Sequence, residues 1–148
     1  MNIFHALIAS HQTQRELTAS LLAAPAEGKD RHRIFLELKA ELVAHETAEE
    51  RCFYVPLFEH DTTVDLSRHA IAEHHQMDEM VEDLEGIDTR TPEWEAGAKK
   101  LCEKIEHHLG EEENKFFAQA GQVLTEEQKE SLGRDYEAEF ANLHEREA

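Results

Sequence analysis

The chain has few of the residues that interrupt helices and few that cross-link them. It contains six glycines and three prolines in 148 residues, a composition that suits long helices joined by short loops. Its two cysteines, Cys52 and Cys102, are far apart and do not form a Cys-x-x-Cys motif. This arrangement excludes a disulfide framework and a thiolate zinc site, so we interpret both as packing or surface thiols.

Long hydrophobic segments are also missing. No apolar run approaches the length of a membrane span, and the first residues lack the basic and apolar regions of a signal peptide. Basic residues are scarce, with 15 Lys and Arg against 33 Asp and Glu, for a net charge of −18. Such a charge repels nucleic acid and anionic membranes and attracts cations. We therefore expect a soluble, cytoplasmic protein with no nucleic-acid or membrane partner.

What the chain does contain is a repeated motif, His-x-x-x-Glu-Glu. It occupies residues 45–50 and again residues 108–113, an offset of 108 − 45 = 63. Because positions i and i+4 lie on one helical face, each motif places an imidazole and a carboxylate side by side. The same offset relates the flanking apolar and aromatic residues, which are Leu38 and Leu101, Leu42 and Ile105, Phe53 and Phe116, and Tyr54 and Phe117. Burying such polar groups in an apolar stripe is costly unless something pairs with them.

Amphipathic periodicity predicts five helices. Their predicted spans are 3–23, 31–60, 64–85, 92–120 and a fifth that begins near 126. Capping or helix-breaking residues mark the ends, namely Asn2, Asp30, Pro56, Gly86, Thr91 with Pro92, and a capping box at 125–128. Four long helices with short loops predict an all-α, up-down-up-down four-helix bundle over residues 1–120. Residues 121–148 are expected to form an additional C-terminal helix that packs on the bundle or on a partner subunit, as in a homodimer.

The same periodicity sorts the eleven histidines into inward and outward positions. His74 and His108 continue the apolar stripes of their helices, whereas His75 and His107 lie among charged residues. The predicted inward face of the first helix consists of Phe4, Leu7, Ile8, His11, Thr18, Leu21 and Leu22. The histidines expected at the surface are His5, His32, His60, His69, His75, His107 and His144.

Each of the four bundle helices therefore contributes one inward histidine, and two of them add a glutamate. The predicted metal ligands are His11, His45, Glu49, His74, His108 and Glu112. Two carboxylates can bridge two ions about 3.5–4 Å apart, which leaves two imidazoles for each ion and open positions for a small ligand. Imidazole and carboxylate donors without thiolate favour iron or manganese, with zinc as an alternative. Glu46 could also reach a metal, but it lies off the stripe.

This pattern resembles the hemerythrin-like HHE cation-binding domain family over about residues 1–120. The resemblance rests on His11, both His-x-x-x-Glu-Glu motifs, Glu73–His74 and Phe116–Phe117. It implies a non-haem di-iron centre bridged by carboxylates and by a solvent-derived oxo or hydroxo group. Asp78 stands where oxygen-carrying members have a second histidine, and the resemblance therefore makes it a candidate seventh ligand or outer partner. Glu112 replaces an aspartate found one residue later in those members. The pattern is more similar to bacterial HHE proteins and iron-centre-repair proteins.

The expected function follows from this set of ligands. Two reducible irons with an open site are expected to bind or reduce a small oxidant such as dioxygen, peroxide or nitric oxide, with an unidentified redox partner. The sequence shows no Ser-His-Asp or Cys-His arrangement for nucleophilic catalysis. The alternative is an iron-binding sensor, store or donor without turnover, and a purely structural bundle is a third interpretation.

Overall fold

A computed structural model describes residues 1–147, with side chains through residue 146. Within this range the chain is helical and contains no β-strand. The helices are α1 (Ile3–Ala23), α2 (Asp30–Glu49, a π-helical turn at Glu50–Tyr54, then Val55–Leu57), α3 (Asp61–Glu85), α4 (Pro92–Glu111, a π-helical turn at Glu112–Phe116, then Phe117–Val123) and α5 (Glu126–Glu147). The predicted four-helix bundle with an additional C-terminal helix is confirmed.

Side-chain caps fix the starts of three helices. The Asn2 side chain accepts a hydrogen bond from the His5 N–H at 3.0 Å, and Thr91 accepts one from the Trp94 N–H at 3.2 Å. Thr125 and Gln128 exchange reciprocal hydrogen bonds, as the capping-box pattern predicts. The predicted cap of α2 is wrong, because Asp30 is itself helical and its predecessor makes no side-chain capping bond.

Three boundaries also differ from the prediction. Pro56 lies in the last turn of α2, which ends at Leu57 rather than near residue 60. The α3 helix begins at Asp61, three residues earlier than predicted, so the connecting loop moves to residues 58–60. Gly121 directly follows the predicted end of α4 at residue 120 but lies inside that helix, which continues to Val123 because a helical glycine lowers stability without forcing a stop.

Both His-x-x-x-Glu-Glu motifs run into a π-helical turn, a feature that periodicity did not predict. The turns occupy Glu50–Tyr54 and Glu112–Phe116, one in each half of the bundle. Pro56 lacks the N–H that an α-helical bond to the carbonyl of residue 52 would need, yet α4 has the same turn without a proline. The wider turn places consecutive glutamates on the side facing neighbouring helices, and such turns frequently occur at functional sites.

The buried interior has a polar layer between two apolar clusters. One cluster contains Phe35, Leu38, Leu42, Val81, Leu84, Trp94, Leu101 and Ile105, and the other contains Ile3, Leu7, Phe53, Leu57, Ala70, Phe116 and Ala120. Along each bundle helix the inward histidine comes between the residues of these two clusters. The antiparallel helices therefore bring four histidines to one level, with an apolar cluster on either side of it.

The fifth helix lies against α1 and α2. A Cβ built on Gly133 would come within 2.6 Å of the Met1 carbonyl oxygen and 2.9 Å of the Ile3 nitrogen. Only a residue without a side chain allows this close approach of α5 to the start of α1. Two residues of the predicted inward face of α1 are instead exposed, Ile8 at 37% and Leu22 at 45%. None of the helices in residues 1–147 is both long and apolar enough to cross a membrane.

Candidate metal centre

All six predicted ligand residues meet in the polar layer of the bundle. His11 comes from α1, His74 from α3, and α2 and α4 each contribute one His–Glu pair. All are at most 2% exposed, namely His11, His45, Glu49, His74, His108 and Glu112. The burial of His74 and His108 agrees with the periodicity, as does the exposure of His75 and His107.

The four imidazoles form two pairs that the two carboxylates connect. The rings of His11 and His45 have centroids 5.3 Å apart, and those of His74 and His108 are 4.8 Å apart. Glu49 Oε1 lies 3.2 Å from the Nε2 atoms of both His45 and His74, one from each pair.

The second carboxylate spans the pairs in the same way. Glu112 Oε1 lies 3.0 Å from His11 Nε2, and Glu112 Oε2 lies 3.7 Å from His108 Nε2. Two overlapping groups result, each with ligand-capable atoms within 4.8 Å of one another. One group consists of His11, His45, Glu49 and Glu112. The other consists of Glu49, His74 and His108. Either group could hold a metal cation, and Glu49 belongs to both groups.

The outer nitrogen of every histidine in the centre has a hydrogen-bond partner. Nδ1 of His11 is 2.7 Å from Glu113, His45 Nδ1 is 2.7 Å from the Tyr136 hydroxyl, His74 Nδ1 is 2.8 Å from Glu50, and His108 Nδ1 is 2.9 Å from Glu73. An outer carboxylate or hydroxyl fixes the tautomer and the ring orientation of a metal-binding histidine. All four rings therefore present Nε2 to the interior.

Several inward atoms have no hydrogen-bond partner, although they are buried. They are Nε2 of His11, His45 and His108, Oε2 of Glu49 and Oε1 of Glu112. The short contacts between His11 Nε2 and Glu112 therefore lack hydrogen-bond geometry. Leaving a buried polar atom unpaired costs about 1–3 kcal/mol. Metal ions would compensate all of these atoms at once, so the residues present fit a cation pair.

The electrostatics of the centre favour positive charge. Burial lowers the pKa of His11, but the adjacent carboxylates of Glu112 and Glu113 outweigh burial and raise this pKa to about 9. Burial also opposes protonation of His74, yet hydrogen bonds to Glu49 and Glu50 raise its pKa well above the usual value. His45 shows the opposite result, because burial dominates and lowers its pKa to about 4.

The two carboxylates of the centre repel each other. Burial and the neighbouring charge of Glu49 raise the pKa of Glu112. Burial also opposes ionisation of Glu49, but interactions with His45 and His74 outweigh it and hold the pKa of Glu49 well below its usual value. Two buried carboxylates in contact are stable only when protons or cations lie between them.

Tyr54 is a residue of the centre that the sequence reasoning missed. Its hydroxyl donates a 2.8 Å hydrogen bond to Glu49 Oε1, contacts Glu112 Oε2 and lies 3.4 Å from His74 Nε2. The tyrosine is fully buried. The repeat contained the signal, since Tyr54 aligns with Phe117 and is the member of that aromatic pair that carries a hydroxyl.

The offset of 63 also extends further than the two motifs. It relates His11 to His74, Glu50 to Glu113, and Ser10 to Glu73. Glu73 holds His108, but Ser10 is too short to hold His45 directly. Instead the Tyr136 hydroxyl lies 2.7 Å from both Ser10 Oγ and His45 Nδ1. Tyr136 of the C-terminal helix therefore supplies the partner of His45, the one histidine of the centre whose Nδ1 has no carboxylate partner. The sequence did not predict this role.

The remaining candidates lie outside the two ligand groups. Glu46 is 4% exposed rather than turned away from the interior, and burial raises its pKa well above the usual value. Asp78 is exposed and belongs to none of the ligand groups found among the described residues. Of the histidines predicted at the surface, His5, His32, His69, His75 and His107 are exposed, while His60 and His144 are half-buried.

Helical bundles with an inward layer of histidine and carboxylate side chains form a class of metal-binding proteins. The sequence model of the hemerythrin HHE cation-binding domain family matches residues 2–120, so the chain belongs to that family. The resemblance inferred from the motifs is confirmed.

A solved structure gives the same result. The chain is similar to the crystal structure of a hemerythrin HHE cation-binding-domain-containing protein from Mycobacterium kansasii, with a TM-score of 0.89 and 25% sequence identity. The alignment covers 99% of this chain and 89% of that one, so it includes the C-terminal helix. No curated protein matches the chain significantly.

Proposed function

We propose that the chain binds two iron ions in the buried centre and that the loaded protein binds or reduces a small oxidant such as dioxygen, peroxide or nitric oxide. One observation carries the proposal. Glu49 and Glu112 each contact one histidine from either pair, and five inward atoms of this set are buried without hydrogen-bond partners.

The donor set supports iron. It contains four imidazole nitrogens and carboxylate oxygens, and neither cysteine belongs to a ligand group found among the described residues. Imidazole with carboxylate suits iron and manganese, whereas thiolate would favour zinc or iron–sulfur clusters. When bound, two ferrous ions would supply electrons and Lewis acidity to the oxidant.

The chain's own residues would bind and orient the ligand. The Tyr54 hydroxyl lies between the two carboxylates and can donate a hydrogen bond at this point. A cavity of about 220 Å³ reaches the centre from the surface, and His108 and Glu112 line its inner end. The apolar side chains of Leu66, Ala70 and Phe116 also line it, together with the charged side chains of Glu73, Glu111 and Lys115. This size suits a small molecule rather than a large substrate.

Rapid mixing tests the oxidant reaction directly. The iron-loaded, reduced protein would be mixed with oxygen, peroxide and nitric oxide while absorption spectra are recorded. We expect a change in the charge-transfer absorption with at least one of them, and repeated consumption of that oxidant when a reductant is present. A stable adduct without turnover would favour the sensor or carrier alternative. Spectra that do not change with any of the three would contradict the proposal.

A further inference from the structure

A second cluster of histidine and glutamate side chains lies at the surface, outside the buried centre. His69 Nε2 is 3.2 Å from Glu111 Oε2 and 3.6 Å from Glu73 Oε1. His107 Nε2 approaches the same carboxylates, at 3.6 Å from Glu111 Oε2 and 4.0 Å from Glu73 Oε2. The side chains of His69 and His107 are 59% and 61% exposed, so a hydrated ion can reach them. Two imidazoles around shared carboxylates form a donor set for a divalent cation.

The cavity described above joins this cluster to the buried centre. Its outer lining includes His69, Glu73 and Glu111, and its inner end is formed by His108 and Glu112. His108 Nε2 and Glu112 Oε1 have no hydrogen-bond partner, and both residues are 2% exposed. Unpaired, buried ligand atoms therefore lie at one end of the cavity, and an exposed His–Glu cluster lies at the other.

Glu73 connects the two sites through its carboxylate. One oxygen accepts a 2.9 Å hydrogen bond from His108, and the other lies 3.1 Å from the Lys104 ammonium group. Lys104 already compensates Glu73, so the charge left for a cation at the cluster comes mainly from Glu111. Lys115 also lines the cavity, but the chain as a whole has a net charge of −18, which concentrates cations around it.

We propose that His69, Glu73 and Glu111, whose ligand atoms lie within 4.8 Å of one another, form a transit site that captures a divalent cation, such as Fe²⁺, and delivers it through the cavity to the buried centre. The proposal rests on the proposed function, because it requires a centre that receives the ion. Weak, exposed ligands suit this role, since a transit site has to release its ion again.

Binding at the surface can be measured separately from the centre. Iron-loaded protein would be titrated with Mn²⁺, and free Mn²⁺ would be followed by electron paramagnetic resonance. We expect the His69→Ala/Glu111→Gln variant to bind one Mn²⁺ fewer than the wild type. The matched control is His75→Ala/Glu79→Gln, an exposed pair on α3 with a 3.2 Å contact and no part in the cavity lining. It should titrate like the wild type, and equal Mn²⁺ binding by all three proteins would overturn the proposal.

Delivery is tested by the rate of iron loading. Metal-free protein would be mixed anaerobically with Fe²⁺, and iron retained after rapid desalting would be measured over time. We expect His69→Ala/Glu111→Gln to load at least fivefold more slowly but to reach the same final iron content, while the control loads at the wild-type rate. Equal loading rates in the three proteins would overturn the transit role. A wild type that never retains iron would instead contradict the proposed function.

Discussion

Each buried histidine presents Nε2 to the interior because its Nδ1 atom already has a partner. Glu113, Glu50 and Glu73 supply that partner for three of the rings, at 2.7–2.9 Å. Periodicity sufficed to predict which of the adjacent pairs, His74 or His75 and His108 or His107, would be buried. It did not predict the partners, since which carboxylate meets which ring depends on the packing of different helices.

Substitution of inward and outward histidines tests the ligand assignment. His45→Ala and His108→Ala each remove one inward nitrogen, so we expect either variant to retain at most half of the wild-type iron. His75→Ala removes an exposed imidazole and should retain all of it. The measurement is iron per folded chain, by elemental analysis after desalting, with helicity checked by circular dichroism. Equal iron loss in the three variants would refute the assignment.

Protonation of the metal-free centre gives a second prediction at the residue scale. Neighbouring glutamates outweigh burial at His11, whose pKa is raised to about 9, and at His74, whose pKa is also raised, whereas burial lowers that of His45 to about 4. Near pH 7.5 the His11 imidazole therefore holds a proton that a metal must displace, and the His45 imidazole does not.

We accordingly expect Fe²⁺ loading at pH 7.5 to release about one proton per chain from the His11 imidazole. Apparent affinity should rise with pH until the pKa of His11, about 9, is passed. Loading in weakly buffered solution with a pH indicator measures the release. Loading at pH 7.5 without proton release would contradict the assigned protonation states.

At the level of helices, sequence periodicity predicted five elements and most of their ends, but it missed the two π-helical turns. The prediction assumed 3.6 residues per turn throughout. A π-helical turn contains one extra residue, so the side chains that follow it in the helix point in different directions than predicted. Exposed Ile8 shows another limit, since an apolar residue at helical spacing can lie at the edge of a stripe. The role of Tyr136 depends on how α5 docks, which no local pattern specifies.

Tyr136→Phe tests whether α5 supports the centre. The change removes the hydroxyl that holds His45 and leaves the aromatic packing in place. Removing an outer partner of a metal ligand typically lowers metal affinity by about 10–100-fold, so we expect a loss in this range with helicity retained. Competition with a chelator of known affinity measures it. An unchanged affinity would show that the fifth helix only packs against the bundle.

Gly133→Ala tests the docking of α5 on α1. Alanine normally stabilises a helix over glycine by about 0.5–1 kcal/mol, but here its methyl group would meet backbone atoms of α1 within 3 Å. We expect destabilisation by about 1–3 kcal/mol from overpacking. Gly121→Ala is the matched control, because nothing lies within 4 Å of its added Cβ, and it should stabilise slightly. Denaturant unfolding measures both, and a stabilised Gly133→Ala would contradict the close approach.

On the scale of the whole molecule, two similar halves enclose one centre. The offset of 63 residues relates the histidines and bridging glutamates of α1 and α2 to those of α3 and α4. The halves differ in two places. Tyr54 in the first half corresponds to Phe117 in the second, and His45 has a hydroxyl of α5 as its partner where His108 has a carboxylate. The family and the bundle were predictable because the repeat lies in the sequence, whereas the fifth helix's contribution is specific to the assembled fold.

The most direct test of this account is the metal content of the whole protein. Metal-free chain would be loaded anaerobically with excess Fe²⁺, desalted, and analysed for iron and protein. Two pairs of imidazoles that share two carboxylates predict two irons per chain. A folded protein that retains no iron after loading would contradict the metal centre, and one iron per chain would contradict the bridged pair.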